Sequence, residues 1–155
     1  MSPDPRVRRA TADDSDAVAR LMHDFDTEFG EEIDEPEALR RRYRQQLESG
    51  DVIVVLGGDG PDGFAQLRYR GQVYSDAPAA YLEELYVAPP NRGPGLGRAL
   101  LEAALEEARA HGADHIGLGT SVDDTAARGL YESAGFTNRE GRPDGPVMLY
   151  YERDL

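Results

Sequence analysis

Cysteine, lysine and any apolar run long enough to span a bilayer are missing from this 155-residue sequence. Without cysteine, neither a disulfide, a thiol nucleophile nor a cysteine-ligated zinc can be invoked. No basic segment followed by an apolar one opens the chain, so the expectation is a cytoplasmic protein without a membrane partner. Fixed positive charge comes only from 17 arginines, set against 30 Asp and Glu, for a formal net charge of −13. Such a field disfavours nucleic acid and favours cationic partners. The missing lysine fits a GC-rich coding bias and a salty cytoplasm equally well. His23, His111 and His115 lack metal-ligand spacing, so no metal is expected. The length suits one domain, 1–155, with a loose start over 1–5.

What is present is organised around Tyr81–Gly97, YLEELYVAPPNRGPGLG. An apolar and aromatic run predicts a buried strand, and Pro89 and Pro90 stop it because neither can donate to a ladder. Gly93, Gly95 and Gly97 alternate, and behind them Leu96, Leu100, Ala103 and Ala104 fall on one side of a predicted helix. Strand, glycine turn and helix together make an anion site, because backbone N–H groups crowd the anion and the helix start adds partial positive charge. A Walker loop is excluded, since Gly97 is followed by Arg98 and Ala99. A dinucleotide fingerprint fits poorly: the spacing is GxGxG, the unit lies past mid-chain, and His111 to Ile116 offers no convincing ribose-binding carboxylate.

Arg92, Gly95 and Gly97 satisfy a third pattern, Arg/Gln-x-x-Gly-x-Gly/Ala. A later block, Asp124-x-x-Ala127-x-x-Leu130-Tyr131-x-x-x-Gly135-Phe136, has helical spacing and a glycine suited to a left-handed cap. On these two motifs the sequence resembles the GNAT superfamily of acyl-CoA-dependent N-acyltransferases. The second departs from the family's wording only in Asp124 for Asn. The resemblance runs from about residue 6 to the end. It implies an α/β fold, a three-layer mixed sheet in the order βααβββαβαββ, and a homodimer through the final strands.

In chain order the pattern predicts a strand over Val7–Thr11 and a helix capped by Asp13 or Asp14 and carried by Ala17, Val18, Leu21, Met22 and Phe25. A second helix runs from Pro36 to Leu47. Its Arg40, Arg41, Arg42 and Arg44 read as a solvated face paired with acids, or else as a nucleic-acid patch. Val52–Leu56 and Gly63–Tyr69 form a hairpin about a glycine-rich turn. Asp114–Thr120 is a strand, and Phe136–Arg139 with Val147–Arg153 is the pair that closes the sheet.

The resemblance implies acetyl-CoA as co-substrate and distributes the chemistry. The diphosphate falls to the loop amides of Gly93, Gly95, Leu96, Gly97 and Arg98, with Arg92 adding charge, while Pro94 lacks an N–H. Main chain at Leu85, Tyr86 and Val87 meets the pantetheine arm, and Asp124 and Ala127 lie near it; Asp124 also reads as a plain helix cap. The YLEELYV wording looks like the strand of the spermidine/spermine and thialysine N-acetyltransferases, which makes Glu83 the base. Glu83 and Glu84 are adjacent, so on a regular strand they face opposite ways and only one meets the substrate. Otherwise Glu83 binds a cationic substrate or sits solvated at a strand edge. Tyr131 is the family's proton donor to the departing sulfur, or an aromatic on the core side of its helix.

The acceptor region combines Phe25, Asp26, Glu28, Phe29, Glu31, Glu32, Tyr69, Tyr74, Tyr81 and Glu84, a mixture suited to a small cationic amine. An ordinary acidic surface has the same composition. A peptide or protein N-acetyltransferase and a non-catalytic coenzyme A-binding module are the alternatives.

Overall fold

Ile53–Gly57 has no polar residue, and every position in it is buried, so this strand lies in a sheet covered on both sides. The computed structural model describes residues 4–31, 35–93 and 95–155, in two compact units. The first, Met1–Leu118, contains β1 (Val7–Arg9), α1 (Ser15–Phe29), α2 (Pro36–Ser49), β2 (Ile53–Gly57), β3 (Gly63–Arg70), β4 (Ala79–Val87), α3 (Leu96–Ala110) and β5 (His115–Leu118). A 3₁₀ turn at Pro89–Asn91 leads from β4 toward α3.

The sheet order is β1-β2-β3-β4-β5, antiparallel except for the parallel β4–β5 pair. One face packs on α1 and α2: Val54, Leu56, Phe64 and Tyr86 join Val18 and Leu21 of α1 and Tyr43 of α2 in one apolar cluster. Val18, Leu21 and Phe64 are fully buried, and burying each such side chain contributes about 1.5–3 kcal/mol. The other face meets α3, whose Leu96 and Leu100 reach Gly57 and Gly63. Asp14 stands at the N-cap of α1, but its carboxylate accepts from Arg8 and the Thr11 amide rather than from the helix. Pro36 opens α2, as its fixed φ allows. The arginines of α2 take the solvated reading: Arg40 pairs with Glu37 and Asp16, and Arg44 lies beside Glu48.

The register between β3 and β4 slips once. Gln66 opposes Glu84 and Leu67 opposes Leu82, so Glu83 is an extra residue in β4, a β-bulge. Farther along, Gly63 opposes Val87 in close contact. A Cβ added at Gly63 would lie 2.6 Å from the Tyr86 carbonyl oxygen and 3.2 Å from the Val87 Cα. Gly63→Ala is therefore expected to force β3 from β4 and destabilise the protein by about 1–3 kcal/mol. A lowered urea midpoint with an unchanged slope is the reading that checks it.

In the second unit, Gly119–Leu155, Thr125–Ser133 forms α4, and Asp124 Oδ1 accepts from the Ala127 amide as its N-cap. Gly135 ends the helix with φ 93°, and Phe136 N–H donates back to the Tyr131 carbonyl. The expected closing strand pair is reduced to one antiparallel bridge, Arg139 with Val147. Pro143 and Pro146 lie between those two residues and offer no N–H to extend a ladder there.

Candidate active site

The bulge changes where the carboxylates point. On an unbroken strand Glu83 and Glu84 would face opposite ways; here both lie on the α1/α2 face. Glu83 Oε1 accepts from Arg68 Nε at 2.6 Å and from Gln66 Nε2 at 3.0 Å. Gln66 Oε1 in turn accepts from the Tyr43 hydroxyl of α2 at 2.6 Å, and Arg68 Nη2 donates to Gln46 Oε1 of α2 at 2.6 Å. Glu83 is thus held by a cation and an amide within a polar chain that crosses from α2 to the sheet. Burial pushes the Tyr43 phenol far up, with the nearby charges of Glu84, Glu83 and Asp26 adding to it. That phenol remains a donor.

Glu84 has the opposite surroundings. Burial raises its pKa to about 7, and the neighbouring charges of Asp26, Glu83 and Glu31 push the same way. Two adjacent carboxylates are thereby set apart: one ion-paired, the other poised to exchange a proton near neutrality.

Aromatic rings flank this face. Phe25 packs edge-on against Tyr86 at 5.4 Å between centroids, and Phe29 lies 5.0 Å from Phe25, half exposed. Tyr81 opposes Arg68 on the adjoining stretch of β4 and is partly exposed. Tyr69 goes elsewhere. It stacks on His111 at the end of α3, 3.8 Å between centroids, and so lies on the other face of the sheet. Tyr74 is almost wholly exposed and contributes no wall. Glu32 and Pro94 lie outside the described residues.

On its second edge β4 runs out of partners. The β5 ladder covers Ala79 to Leu82 and stops, so among the described residues no strand pairs with that edge of 83–87. Just beyond, Gly95 sits at the N-cap of α3 with φ 84°, a left-handed conformation that glycine adopts without cost. A Cβ on Gly93 or Gly95 would meet nothing within 4 Å. The N-cap glycine supplies no side-chain cap to α3, so its first-turn amides are open to an anion. An acyl-CoA fits these features, with backbone edge for the pantetheine amides and a helix start for the diphosphate. Arg92, from which charge toward the diphosphate is expected, instead pairs with Glu28 of α1 at 2.8 Å.

The description of the acetyltransferase (GNAT) family matches residues 18–136. The chain belongs to the GNAT family. It is an N-acetyltransferase, and the family uses acetyl-CoA. The aminoglycoside N(6')-acetyltransferase type 1 of Stenotrophomonas maltophilia is 30% identical over 141 residues, spanning 88% of each chain. The aminoalkylphosphonate N-acetyltransferase of Salmonella typhimurium (strain LT2) is 28% identical over 146 residues, 88% of this chain and 87% of that one. A crystal structure from Arthrobacter sp. FB24 superposes with a TM-score of 0.90 at 41% identity, covering 100% of this chain and 99% of that one.

Within this GNAT chain, Phe25, Asp26, Glu31, Glu83 and Glu84 gather around one face of the sheet beside β4. Leu85 to Val87 supply the backbone edge that no strand pairs among the described residues, with the Val87 carbonyl accepting from Arg92, and Gly93, Gly95 and Leu96 to Arg98 the helix start. Tyr131 lies on α4 in the second unit, its ring 5.8 Å from Phe136. Asp124 serves as the α4 cap. Tyr43, Gln66 and Arg68 are not legible as site residues from the sequence, although Gln66 gave a signal: an amide inside the apolar run Phe64-Ala65-x-Leu67 implies a buried polar partner. Among the described residues no helix is long and apolar enough to cross a membrane, and no His, Asp and Glu cluster is arranged for a metal.

Proposed function

We propose that this protein transfers acetyl from acetyl-CoA directly to a primary amine of a small cationic substrate, within a ternary complex. The observation that carries the reading is the pair of unlike carboxylates on one face of β4, next to a backbone edge that no described strand pairs and an open helix start. Glu84 takes the role that the motif suggests for Glu83. A lysine-like amine has a pKa near 10.4, so freeing it at pH 7 costs about 4–5 kcal/mol. Glu84, with its pKa near the working pH, accepts that proton. Glu83 stays paired to Arg68 beside the cationic acceptor.

A backbone N–H within Leu85–Val87 donates to the thioester oxygen as charge gathers there, a contribution of about 3–4 kcal/mol where such donors have been removed elsewhere. The nitrogen–carbon bond forms as the carbon–sulfur bond breaks, and Tyr131, at the family's tyrosine position, protonates the sulfur. The amides of Gly95 to Arg98 hold the diphosphate. Phe25, Phe29 and Tyr81, with Asp26 and Glu31, receive the acceptor's apolar body and its further positive charge.

Two relatives that span most of this chain are named for an aminoglycoside and an aminoalkylphosphonate, both small amines. The test is an acetylation assay over a panel of diamines, aminoglycosides, amino acids and short peptides, with the products weighed by mass spectrometry. Small molecules with two or more amino groups are expected to lead. Peptides turning over faster than every small amine would overturn the acceptor assignment.

A further inference from the structure

The guanidinium that opens the phosphate loop is already committed. Arg92 Nε donates to the Val87 carbonyl at 2.9 Å, and Nη2 lies 2.9 and 2.8 Å from the two carboxylate oxygens of Glu28. Its Cζ sits 5.7 Å from the centroid of the Tyr86 ring. Glu28 also accepts from the Tyr86 hydroxyl at 3.1 Å. Burial and that bond raise the Tyr86 pKa to about 12, which keeps the hydroxyl a donor. Four groups from α1, β4 and the loop therefore form one closed network.

We propose that Glu28 is a positioning residue: acting through Arg92, it fixes the loop between β4 and α3 and sets where the amides of α3 meet the diphosphate. The inference rests on the acetyl-CoA reading above and deepens it. The Arg92–Glu28 pair is partly exposed, with side chains 46% and 26% accessible, so its direct Coulomb contribution is small. Its value is geometric. The loop runs from Val87 through the 3₁₀ turn Pro89–Asn91; Ala88 N–H ties its start to the Asp62 carbonyl, and the turn itself holds short local bonds, Asn91 N–H to Ala88 O and Arg92 N–H to Pro89 O. Past Ala88, Arg92 ties this loop to α1. That hold lies in the last turn of α1, close in the chain to Phe25, Asp26 and Phe29, where the amine is proposed to sit. Glu28 thus ties the acceptor wall to the coenzyme loop, and a shift in one reaches the other through a single carboxylate.

The test is calorimetric titration of acetyl-CoA into four proteins: wild type, Glu28→Ala, Arg92→Ala and the double variant. Circular dichroism and melting temperature establish that each is folded. Glu28→Ala and Arg92→Ala are each expected to weaken binding about tenfold, and the double variant no more than either alone, because both break one linkage. Glu28→Gln, which still accepts from Arg92 and Tyr86, should recover most of the affinity. Independent, multiplying losses would overturn the proposal. So would unchanged binding by Glu28→Ala, and so would tighter binding, which would make Glu28 a competitor for the arginine. If wild type itself binds no acetyl-CoA, the proposed function falls as well; binding by wild type with no effect of Glu28 sinks the positioning role alone.

Discussion

Glu84→Gln is expected to lower kcat/KM by about 10²–10⁴ while making the folded protein more stable at alkaline pH. Both effects come from one cause. The fold holds this carboxyl among Asp26, Glu83 and Glu31 and away from water, lifting its pKa from 4.5 to about 7. The neutral form is therefore favoured in the native state. Between about pH 4.5 and 7 the unfolded chain has released this proton and the folded chain has not. Stability accordingly falls as pH rises through that window, and the penalty is complete above it. Discounted for partial exposure, the shift amounts to roughly 1–3 kcal/mol. Glutamine is isosteric and neutral, so the variant escapes the penalty. Its melting temperature should exceed that of wild type by several degrees at pH 8, with little difference at pH 4, where other carboxylates affect both proteins alike. The rise of kcat/KM near pH 7 should vanish from the variant's profile. Glu83→Gln supplies the contrast: it frees Arg68, weakens the chain to Gln66 and Tyr43, and keeps the limb but moves it to lower pH, because the Glu83 charge helps raise Glu84. A Glu84→Gln variant with wild-type turnover would return the base role to Glu83 or to solvent.

Much of this architecture was legible because local rules agree with the fold. The apolar run of β2, the proline that opens α2, the glycines before α3 and the Leu130–Gly135 end of α4 each follow from backbone chemistry at the place they occur. The bulge was missed because period-two alternation was applied across Tyr81–Val87. Yet Leu82 and Leu85, opposite Leu67 and Ala65, both lie on the α3 face although they stand three apart, a spacing that a regular strand would put on opposite faces. That mismatch was the available signal, and it moves a carboxylate from one face of the sheet to the other. Tyr69 was misplaced for a related reason. It shares parity with Ala65 and Leu67, which puts it on the α3 face, whereas Gln66 and Arg68 face α2. The Arg92–Glu28 tie joins residues 64 positions apart, and no local pattern encodes such a pairing. The closing strands come down to the single Arg139–Val147 bridge, because alternation takes no account of the N–H groups that Pro143 and Pro146 lack.

Tyr131→Phe is expected to slow turnover by about 10- to 100-fold, less than the loss of the base, and the leaving group sets that ceiling. An alkyl thiol ionises near pH 8.5, so expelling it as the thiolate at pH 7 costs about 2 kcal/mol more than releasing the thiol. A proton donor can recover no more than this plus the value of one hydrogen bond to a developing anion. By contrast, the amine proton represents about 4–5 kcal/mol. The deficit should also shrink as pH rises toward that of free thiolate, whereas the Glu84→Gln deficit reflects loss of the base on the amine. Raising the acidity of the leaving group sharpens the test. With an acetyl donor built on an aryl thiol, which leaves readily without protonation, Tyr131→Phe should approach wild-type rates, provided binding is saturated for both proteins. The phenol also packs near Phe136, so a purely structural role would lower the melting temperature and slow both donors equally. A loss that ignores the leaving group would therefore remove Tyr131 from the chemistry and leave it as packing for α4.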